Sequence, residues 1–346
     1  MISETPPFWW EKPDWRALAL APLAFAYGRV AGRRLIRANP PAVSAPVLCV
    51  GNYIVGGAGK TPTAIALAET ARRMKLSPGF VTRGYGGGVS GVHLVNSSHD
   101  SARHVGDEPL LLARIAPTAV SPNRVAAARL LIGEGCDFIN MDDGFQSSRI
   151  HVDYALLVVD SRRGIGNGHV IPAGPLRAPL VDQMRRTDGL LRIGEGDGAA
   201  MVVRYAARSA RPIFQAQLQT RRPSAIRRRR FLAFAGIGDP DKFYDSVRNA
   251  GGNVVLTRSF PDHHPYRAEE LVEMDATARA ADLDLITTAK DRVRIENGVS
   301  GMENFMQRLQ VLEIDLVFDV PGTAERIIGE AAERARLRRI AAPQKA

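Results

Sequence analysis

Short apolar runs alternate with longer amphipathic stretches from residue 46 onward. Continuous apolar runs are typical of strands buried on both faces, and a 3.6-residue period is typical of helices packed on a sheet. The predicted strands are 47–50, 79–82, 138–141 and 155–159, and the predicted helices between them are 63–75, 108–115 and 123–134. The alternation predicts an α/β fold with a mainly parallel sheet covered on both faces and a ligand site at the carboxyl ends of the strands.

The pattern changes in the second half of the chain. Residues 213–220 alternate apolar and polar side chains, which predicts an edge strand, and the arginine-rich stretch up to residue 230 predicts a β-hairpin linker. Further strands are predicted at 231–236, 254–257, 284–288 and 311–318, with helical stretches between them. Because 346 residues exceed one ordinary core, we expect a second, smaller α/β domain after the linker.

The N-terminal segment carries an apolar stretch at 17–27 that contains Pro22 and is too short to span a bilayer. Tryptophans precede this stretch and arginines follow it: Trp9, Trp10, Trp15, Arg29, Arg33, Arg34 and Arg37. Such a helix lies either in a membrane interface or in the core with a solvated basic end. Because the basic residues follow the apolar stretch, the pattern does not predict a signal peptide, and we expect a protein of the cytosol.

The formal net charge of +10 predicts an anionic partner, which is a nucleic acid, an acidic membrane surface or a phosphorylated substrate. Aromatic residues make up only 6% of the chain and no nucleic-acid motif is present, so nucleic acid is disfavoured. The pattern indicates no obligate protein partner. Cys49 and Cys136 both lie in apolar runs, which predicts buried free thiols rather than a disulfide or a zinc site.

Candidate chemistry begins with a glycine-rich stretch between the first predicted strand and the first predicted helix. It consists of Gly56, Gly57, Ala58, Gly59, Lys60 and Thr61. Backbone N–H groups and the positive end of the helix dipole converge there on an anion, Lys60 reaches the β- and γ-phosphates, and the Thr61 hydroxyl ligates Mg²⁺. The general phosphate-binding pattern has a glycine where this chain has Ile54, so the stretch departs from it at one position.

Polar side chains follow other predicted strands. Asp142 and Asp143 directly follow the predicted strand at 138–141, where enzymes with a phosphate-binding loop hold the carboxylates that ligate Mg²⁺. Two acids before a glycine are also typical of an ordinary turn. Three loops without periodicity, at 82–87, 106–109 and 260–266, are rich in polar residues. The last loop contains two adjacent histidines, but no third ligand at a suitable spacing, so a dedicated zinc or iron site is not predicted there.

Eight blocks of the sequence resemble the tetraacyldisaccharide 4'-kinase (lipid A 4'-kinase) family. The blocks are VGNYIVGGAGKTP at 50–62, TRGYGG at 82–87, GDEPLLL at 106–112, DDGFQ at 142–146, NGHVIPAGPLR at 167–177, GIGDPDKF at 236–243, FPDHHPY at 260–266 and TTAKD at 287–291. They occur in the family's order and cover most of the chain. The unusual glycine spacing of the phosphate-binding stretch is also typical of this family.

The resemblance implies a two-domain P-loop kinase at the cytoplasmic face of the inner membrane. It implies ATP and Mg²⁺ as cofactors and an anionic glycolipid substrate, the 1-phosphorylated, tetraacylated glucosamine disaccharide, whose 4'-hydroxyl is phosphorylated. Four segments are then expected: an N-terminal membrane-interface helix at 1–37, a P-loop kinase domain at 38–212, a basic hairpin linker at 213–230 and a smaller C-terminal α/β domain at 231–346.

The resemblance also implies roles for single residues. Asp107 matches the base that takes the proton from the sugar hydroxyl, with His263 as its partner or His264 as the alternative. Because they are expected on different domains, Asp107 and His263 would meet only when a cleft between the domains closes. Arg83 and Tyr85 match groups near the disaccharide, and Asp142 and Asp143 match the acids of the metal site. Two positions depart from the family, since Ala178 and Ala289 stand where glutamate is frequent.

Two other interpretations fit parts of the pattern. A deviant P-loop ATPase coupled to a protein or metal partner would share the glycine-rich stretch, but it would have a second lysine near Val55 and a dimer partner. A basic binding module for nucleic acid or membrane would use the nucleotide only for stability. The two differ from the kinase in their chemistry, because neither transfers phosphate to a lipid.

Overall fold

The computed structural model describes residues 5–147, 149–296, 298–299 and 301–341; residues 1–4 and 342–346 of the predicted terminal segments lie outside the described residues. The strands within these ranges are β1 (Val47–Asn52), β2 (Pro78–Thr82), β3 (His93–Leu94), β4 (Thr118–Val120), β5 (Phe138–Asp142), β6 (Tyr154–Asp160), β7 (Gly189–Ile193), β8 (Ile213–Thr220), β9 (Arg230–Ala235), β10 (Asn253–Ser259), β11 (Asp284–Thr288), β12 (Leu309–Leu312) and β13 (Ile314–Phe318).

The α-helices of the described residues alternate with these strands. They are α1 (Trp15–Arg37), α2 (Lys60–Arg73), α3 (Ala102–Val105), α4 (Asp107–Ala113), α5 (Arg124–Gly133), α6 (Leu180–Arg185), α7 (Ala200–Arg208), α8 (Pro240–Asn249), α9 (Ala268–Ala280), α10 (Ala289–Glu296), α11 (Glu303–Arg308) and α12 (Thr323–Ala341). Short 3₁₀-helices occupy Pro7–Trp9 and Pro223–Ala225.

The larger sheet contains nine of the described strands in the order β13-β8-β7-β6-β1-β5-β2-β4-β3. The seven strands from β8 to β4 run parallel, and the antiparallel strands β13 and β3 form the two edges. Every residue of β1 and β6 is buried, as their continuous apolar runs predict. Helices α5, α6 and α7 pack on one face and α2 and α12 on the other. The predicted fold class is confirmed.

The smaller sheet has the order β10-β9-β11-β12 among the described residues, and all of its pairings are parallel. Residues of α9, α10 and α11 form the core on one side, and residues of α8 form the core on the other. This second α/β unit is built from residues of β9 to β12 and the helices between them. It carries the loop after β10, in which the two adjacent histidines lie.

The connection between the two sheets differs from the predicted hairpin. β8 pairs with β7 on one side and with β13 on the other, so it is not an edge strand, and β9 belongs to the smaller sheet. The predicted strand at 311–318 is two strands, β12 in the smaller sheet and β13 in the larger one. The chain thus returns to the larger sheet, and α12 packs on it. Apolar alternation shows which face of a strand is buried but not which strand pairs with it, so the sequence pattern missed this return.

Helix α1 has one buried face and one exposed face. Asp14 caps it by accepting the N–H groups of Arg16 and Ala17. The buried face consists of small residues and one leucine: Ala17, Ala24, Gly28, Gly32 and Leu35. Large apolar side chains on the other face are exposed to solvent: Trp15, Leu18, Leu23, Phe25, Tyr27, Val30 and Ile36. Trp9, by contrast, is buried, and its Nε1–H donates to the carbonyl of Pro172 at 3.0 Å.

Candidate active site

The phosphate-binding loop (residues 56–61) connects the end of β1 to the start of α2. Gly59 is the N-cap of α2 with φ of 89°, and a Cβ there would lie 2.6 Å from Cδ1 of Ile193, so glycine is required for both backbone and space. The Nζ atom of Lys60 donates to the carbonyl of Gly56 at 3.3 Å. The loop therefore presents a helix N-terminus and a lysine at the carboxyl end of a central strand, which is an arrangement suited to an anion.

Asp142 lies beside the loop because its strand, β5, pairs with β1 and aligns Asp142 with Val50. Its Oδ2 atom accepts from the Thr61 hydroxyl at 3.5 Å, and its Oδ1 atom is buried without a hydrogen-bond partner among the described residues. Burial raises the pKa of Asp142 to about 7, and the negative charge of Glu108 adds to this effect while Lys60 opposes it. A nearby cation would offset both the free-energy cost of burying the charged carboxylate and its repulsion by Glu108.

Asp143 follows in the left-handed backbone region with φ of 49°. Arg177 donates to its two carboxylate oxygens at 2.8 and 3.1 Å, and Nζ of Lys60 lies 3.7 Å from Oδ2. Burial alone would raise the pKa of Asp143, but the charges of Lys60 and Arg177 outweigh it and hold that pKa below its usual range. Non-glycine residues with positive φ are uncommon and cluster at functional sites.

Thr61, Asp142 and Asp143 together offer oxygen atoms, which are the ligands that Mg²⁺ prefers. The unpartnered, buried Oδ1 atom of Asp142 is a second sign, because a buried carboxylate oxygen is stable when a proton or a cation satisfies it. The residues present fit a divalent cation bound next to the phosphate-binding loop.

Asp107 begins α4 and is only 3% exposed. Nε of Arg294 donates to its Oδ2 atom at 2.9 Å, and Nη2 of the same arginine donates there as well. Nδ1 of His263 lies 3.3 Å from that oxygen, and the backbone N–H of Glu108 donates to Oδ1 at 3.0 Å. The expectation that a cleft must close before Asp107 meets His263 is wrong, since the described structure already holds them in contact across the two sheets.

The charges around this pair set its protonation. Burial alone would raise the pKa of Asp107, but the hydrogen bond from His263 and the charges of Arg294 and Lys290 outweigh it and hold that pKa far below its usual range. The hydrogen bond to Asp107 raises the pKa of His263 above its ordinary value, against the opposing effect of burial. A proton taken up by the pair is therefore held on the imidazole rather than on the carboxylate.

Arg294 joins Asp107 to the core of the smaller α/β unit. Its Nη1 atom donates to the buried carboxylate of Asp291 at 2.8 Å and to the carbonyl of Gly236 at 2.5 Å. The backbone N–H of His263 donates to that same carbonyl at 3.1 Å. Arg294 thus fixes the position of Asp107 and, through Gly236, the position of the loop that carries His263. No sequence signal pointed to Arg294, because Asp107 and Gly236, which it joins, are distant from it in the chain.

The second histidine of the loop has different neighbours. Nε2 of His264 lies 2.9 Å from Oε2 of Glu270, and its ring stacks on Phe260 with centroids 4.7 Å apart. His263, with φ of 59°, points instead to Asp107 and lies 5.9 Å from the ring of Tyr85. Of the two alternatives left open by the sequence, His263 is the histidine in contact with Asp107.

Further charged residues near the site were missed in the sequence. Nζ of Lys290 donates to Oε1 of Glu108 at 2.5 Å, and Glu108 has the largest effect of any charged neighbour on the pKa of Asp142. These residues link the acids beside the phosphate-binding loop to the Asp107 end of the site. Both lie in blocks that resemble the family, namely GDEPLLL and TTAKD, which is the signal that would have found them.

A group of arginines borders the site on the side of β2 and α5. Arg83 is exposed, as is Tyr85, whereas Arg124 is buried and its Nε atom has no hydrogen-bond partner in the part of the chain that the structure describes. Burial lowers the pKa of Arg124 to about 10, and the charge of Arg83 adds to this effect. A buried guanidinium with an unused donor suits an anionic ligand.

Comparisons with known proteins show the family to which the chain belongs. Residues 16–332 match the family described as tetraacyldisaccharide-1-P 4'-kinase. The chain belongs to this family. The curated tetraacyldisaccharide 4'-kinase of Brucella suis is 61% identical over 334 residues, covering 96% of this chain and 98% of that protein. The enzyme of the same name from Mesorhizobium japonicum is 59% identical over 341 residues, covering 98% and 99%.

A solved structure from the family shares the fold. It is the crystal structure of LpxK from Aquifex aeolicus in complex with ATP, with a TM-score of 0.70 and 23% identity, covering 91% of this chain and 99% of that one. Position 178 is one of the two positions where the resemblance led us to expect glutamate. Its side chain is buried and its carbonyl accepts from Gln183 at 2.7 Å, so position 178 supplies no carboxylate to the metal site.

Proposed function

We propose that the protein transfers the γ-phosphate of ATP to the 4'-hydroxyl of a tetraacyldisaccharide 1-phosphate, a step of lipid A biosynthesis. The observation that carries this proposal is that a phosphate-binding loop and a proton acceptor lie close together, at the carboxyl ends of the strands of the larger sheet. The phosphate-binding loop lies after β1, and the Asp107–His263 pair lies at the start of α4, with the charges of Glu108 and Lys290 acting on Asp142 between them. Phosphoryl transfer requires such a combination of phosphate binding and a proton acceptor.

The loop is the part that binds ATP. Lys60 has modest alternative partners, a 3.3 Å bond to a carbonyl and a 3.7 Å contact with Asp143, and it is 8% exposed. It can therefore exchange these contacts for the β- and γ-phosphates without repacking a core. The backbone N–H groups of the loop and the N-terminus of α2 complete the phosphate site.

Thr61, Asp142 and Asp143 would hold Mg²⁺, and the alanine at position 178 supplies no additional acid. When bound, Mg²⁺ neutralises charge that develops on the phosphates. Arg177 holds Asp143 by two hydrogen bonds and so orients its carboxylate. The burial of Asp142 excludes water from the same side of the phosphate site.

Asp107 and His263 act as one proton-accepting unit toward the sugar hydroxyl. Nδ1–H of His263 donates to Asp107, which leaves Nε2 as the atom able to accept a proton. Asp107 stabilises the imidazolium that forms, as its effect on the pKa of His263 indicates. Arg294 keeps Asp107 ionised and in place. Arg83 and Tyr85, together with Arg124, bind the phosphorylated disaccharide.

The exposed face of α1 is the surface that meets the cytoplasmic side of the inner membrane. Leu18 and Phe25 are 67% and 70% exposed and lie on the same face as Trp15. Among the helices the structure describes, none is long and apolar enough to cross a membrane. An amphipathic helix of this kind lies in the interface plane, where the acyl chains of the substrate are anchored. The predicted interfacial role of Trp9 is not part of this proposal, because Trp9 is buried.

Incubation of the detergent-solubilised protein with ATP labelled at the γ-phosphate, Mg²⁺ and the tetraacyldisaccharide 1-phosphate tests the proposal. Label is expected at the 4' position of the lipid, and the Lys60→Ala variant serves as the inactive control. Release of inorganic phosphate without labelled lipid would favour the deviant ATPase. Binding of ATP with neither product would favour a binding module.

A further inference from the structure

Two histidines and an aspartate outside the phosphoryl-transfer site converge at the surface. His93 lies on β3, Asp100 lies in the loop that follows, and His104 lies on α3. Nε2 of His93 is 2.7 Å from Oδ2 of Asp100, and Nδ1 of His104 is 2.9 Å from Oδ1. The two imidazole rings meet edge to face with centroids 4.9 Å apart.

Asp100 is the fixed centre of this cluster. It is 9% exposed, and the backbone N–H of Asn96 donates to its Oδ2 atom at 2.8 Å. The side chains of His93 and His104 are 33% and 50% exposed, so the cluster opens to solvent on the imidazole side.

The spacing of the three donor groups suits a metal ion. One nitrogen of each histidine and one carboxylate oxygen all lie within 4.8 Å of one another. Tetrahedral ligation at zinc distances of about 2.0–2.2 Å places ligand atoms about 3.4 Å apart, so small side-chain rotations are sufficient. Two imidazoles and a carboxylate favour a transition metal over Mg²⁺, which prefers oxygen ligands. The exposed side leaves a fourth position for water.

We propose that His93, Asp100 and His104 bind a divalent transition-metal ion of the zinc class. The metal joins β3 to α3 and closes the loop between them. The carbonyl of His104 also accepts the N–H of Gly88, at the end of the turn that carries Tyr85, and α3 leads directly into Asp107. The ion therefore braces the two segments that present Tyr85 and Asp107, and it has no part in the transfer of phosphate.

Titration of the metal-free, untagged full chain with Co²⁺ alone tests the proposal, because visible absorption reports tetrahedral Co²⁺ ligated by nitrogen. One equivalent of Co²⁺ is expected to bind, to be displaced by Zn²⁺ and to resist a millimolar excess of Mg²⁺. His93→Gln and His104→Gln should each weaken binding by about tenfold or more. Zn²⁺ should also slow amide hydrogen exchange across residues 93–106 in the unaltered chain and not in these two variants.

Two variants serve as matched controls. His99→Ala removes an exposed histidine of the same loop that is outside the cluster, and Asp142→Asn removes an acid of the magnesium site; both should bind Co²⁺ as the unaltered chain does. The proposal is overturned if the unaltered chain binds no stoichiometric Co²⁺ or Zn²⁺. It is equally overturned if the glutamine variants bind as tightly as His99→Ala, because the metal would then lie elsewhere.

Discussion

The phosphate-binding loop takes its groups from one sheet, whereas the Asp107–His263 pair takes its groups from two. Asp142 ends β5, and Lys60 begins α2 after the loop that follows β1, the strand paired with β5. His263 reaches Asp107 only because the smaller unit is held against the larger one. The geometry of the phosphate-binding loop therefore depends on the larger sheet alone, whereas the contact of Asp107 with His263 depends on how the two α/β units pack together.

The two regions also differ in how much their side-chain contacts contribute to the free energy of unfolding. Lys60 makes weak contacts with the carbonyl of Gly56 and with Asp143, and Asp143 keeps two hydrogen bonds from Arg177 when the lysine is removed. Arg294 is 6% exposed and joins two buried carboxylates, Asp107 and Asp291. Removal of one member of a buried ion pair leaves an uncompensated charge and costs about 3–5 kcal/mol. Substitution in the loop should therefore affect chemistry alone, whereas substitution at the junction should affect both chemistry and stability.

The largest loss of activity is expected for Lys60→Ala. A cation is removed from the developing phosphoryl charge, so kcat should fall by about 10²–10³, while the free energy of unfolding stays nearly unchanged. Steady-state kinetics and denaturant unfolding measure the two quantities. Lys75→Ala, at an exposed position in the turn that follows α2, should leave both unchanged. A kcat close to that of the unaltered chain would refute the role assigned to the loop.

Arg294→Gln should lower both activity and stability, because Arg294 holds Asp107 where the two α/β units meet. We expect kcat to fall by about tenfold through misplacement of Asp107, and the free energy of unfolding to fall by about 3 kcal/mol. Arg292→Gln is the control, because this arginine lies on the same helix and its ion pair, among the described residues, is a 3.9 Å contact with Glu296. If both variants unfold at the same denaturant concentration, Arg294 does not hold the two units together.

The locally built loop was predictable and the junction was not. Residues 56–61 and the two acids were found because a strand, a glycine stretch and a helix follow one another in the chain. Asp107 and His263 came only from the resemblance to the family, and Arg294 was not found at all. Its partners are 187 and 58 residues away for Asp107 and Gly236, and hydrophobic periodicity records no such contact. The return of β13 to the larger sheet was missed for the same reason.

The pH dependence of His263 should reveal the pair directly. Contact with Asp107 raises its pKa above the ordinary value of 6.5, and Asp107→Asn should lower that pKa. Because the folded pKa is the higher one, the stability from this contact is fully present below pH 6.5 and is lost as pH rises through the folded pKa. NMR titration of the imidazole measures the shift. An unchanged His263 pKa in Asp107→Asn would separate the two residues.

The smallest effect on kcat is expected on the exposed face of α1. Leu18→Ser combined with Phe25→Ser should leave kcat in detergent unchanged, since neither side chain touches the site, but it should weaken binding to anionic phospholipid vesicles by about tenfold or more. Vesicle co-sedimentation measures the binding. Val272→Ser, which alters an exposed residue of the smaller unit, is the control. If the double variant and Val272→Ser sediment equally with the vesicles, α1 is not the surface that binds the membrane.

A double-mutant cycle on Asp107 and His263 tests most directly the central claim that two sheets complete one site. Asp107→Asn and His263→Ala should each lower kcat by about 10², with little change in ATP affinity, while His264→Ala remains close to the unaltered chain. If the pair acts as one unit, the double variant should be little worse than either single variant, because each substitution already removes the shared function. Losses that multiply to about 10⁴ in the double variant would show two independent groups and contradict the account.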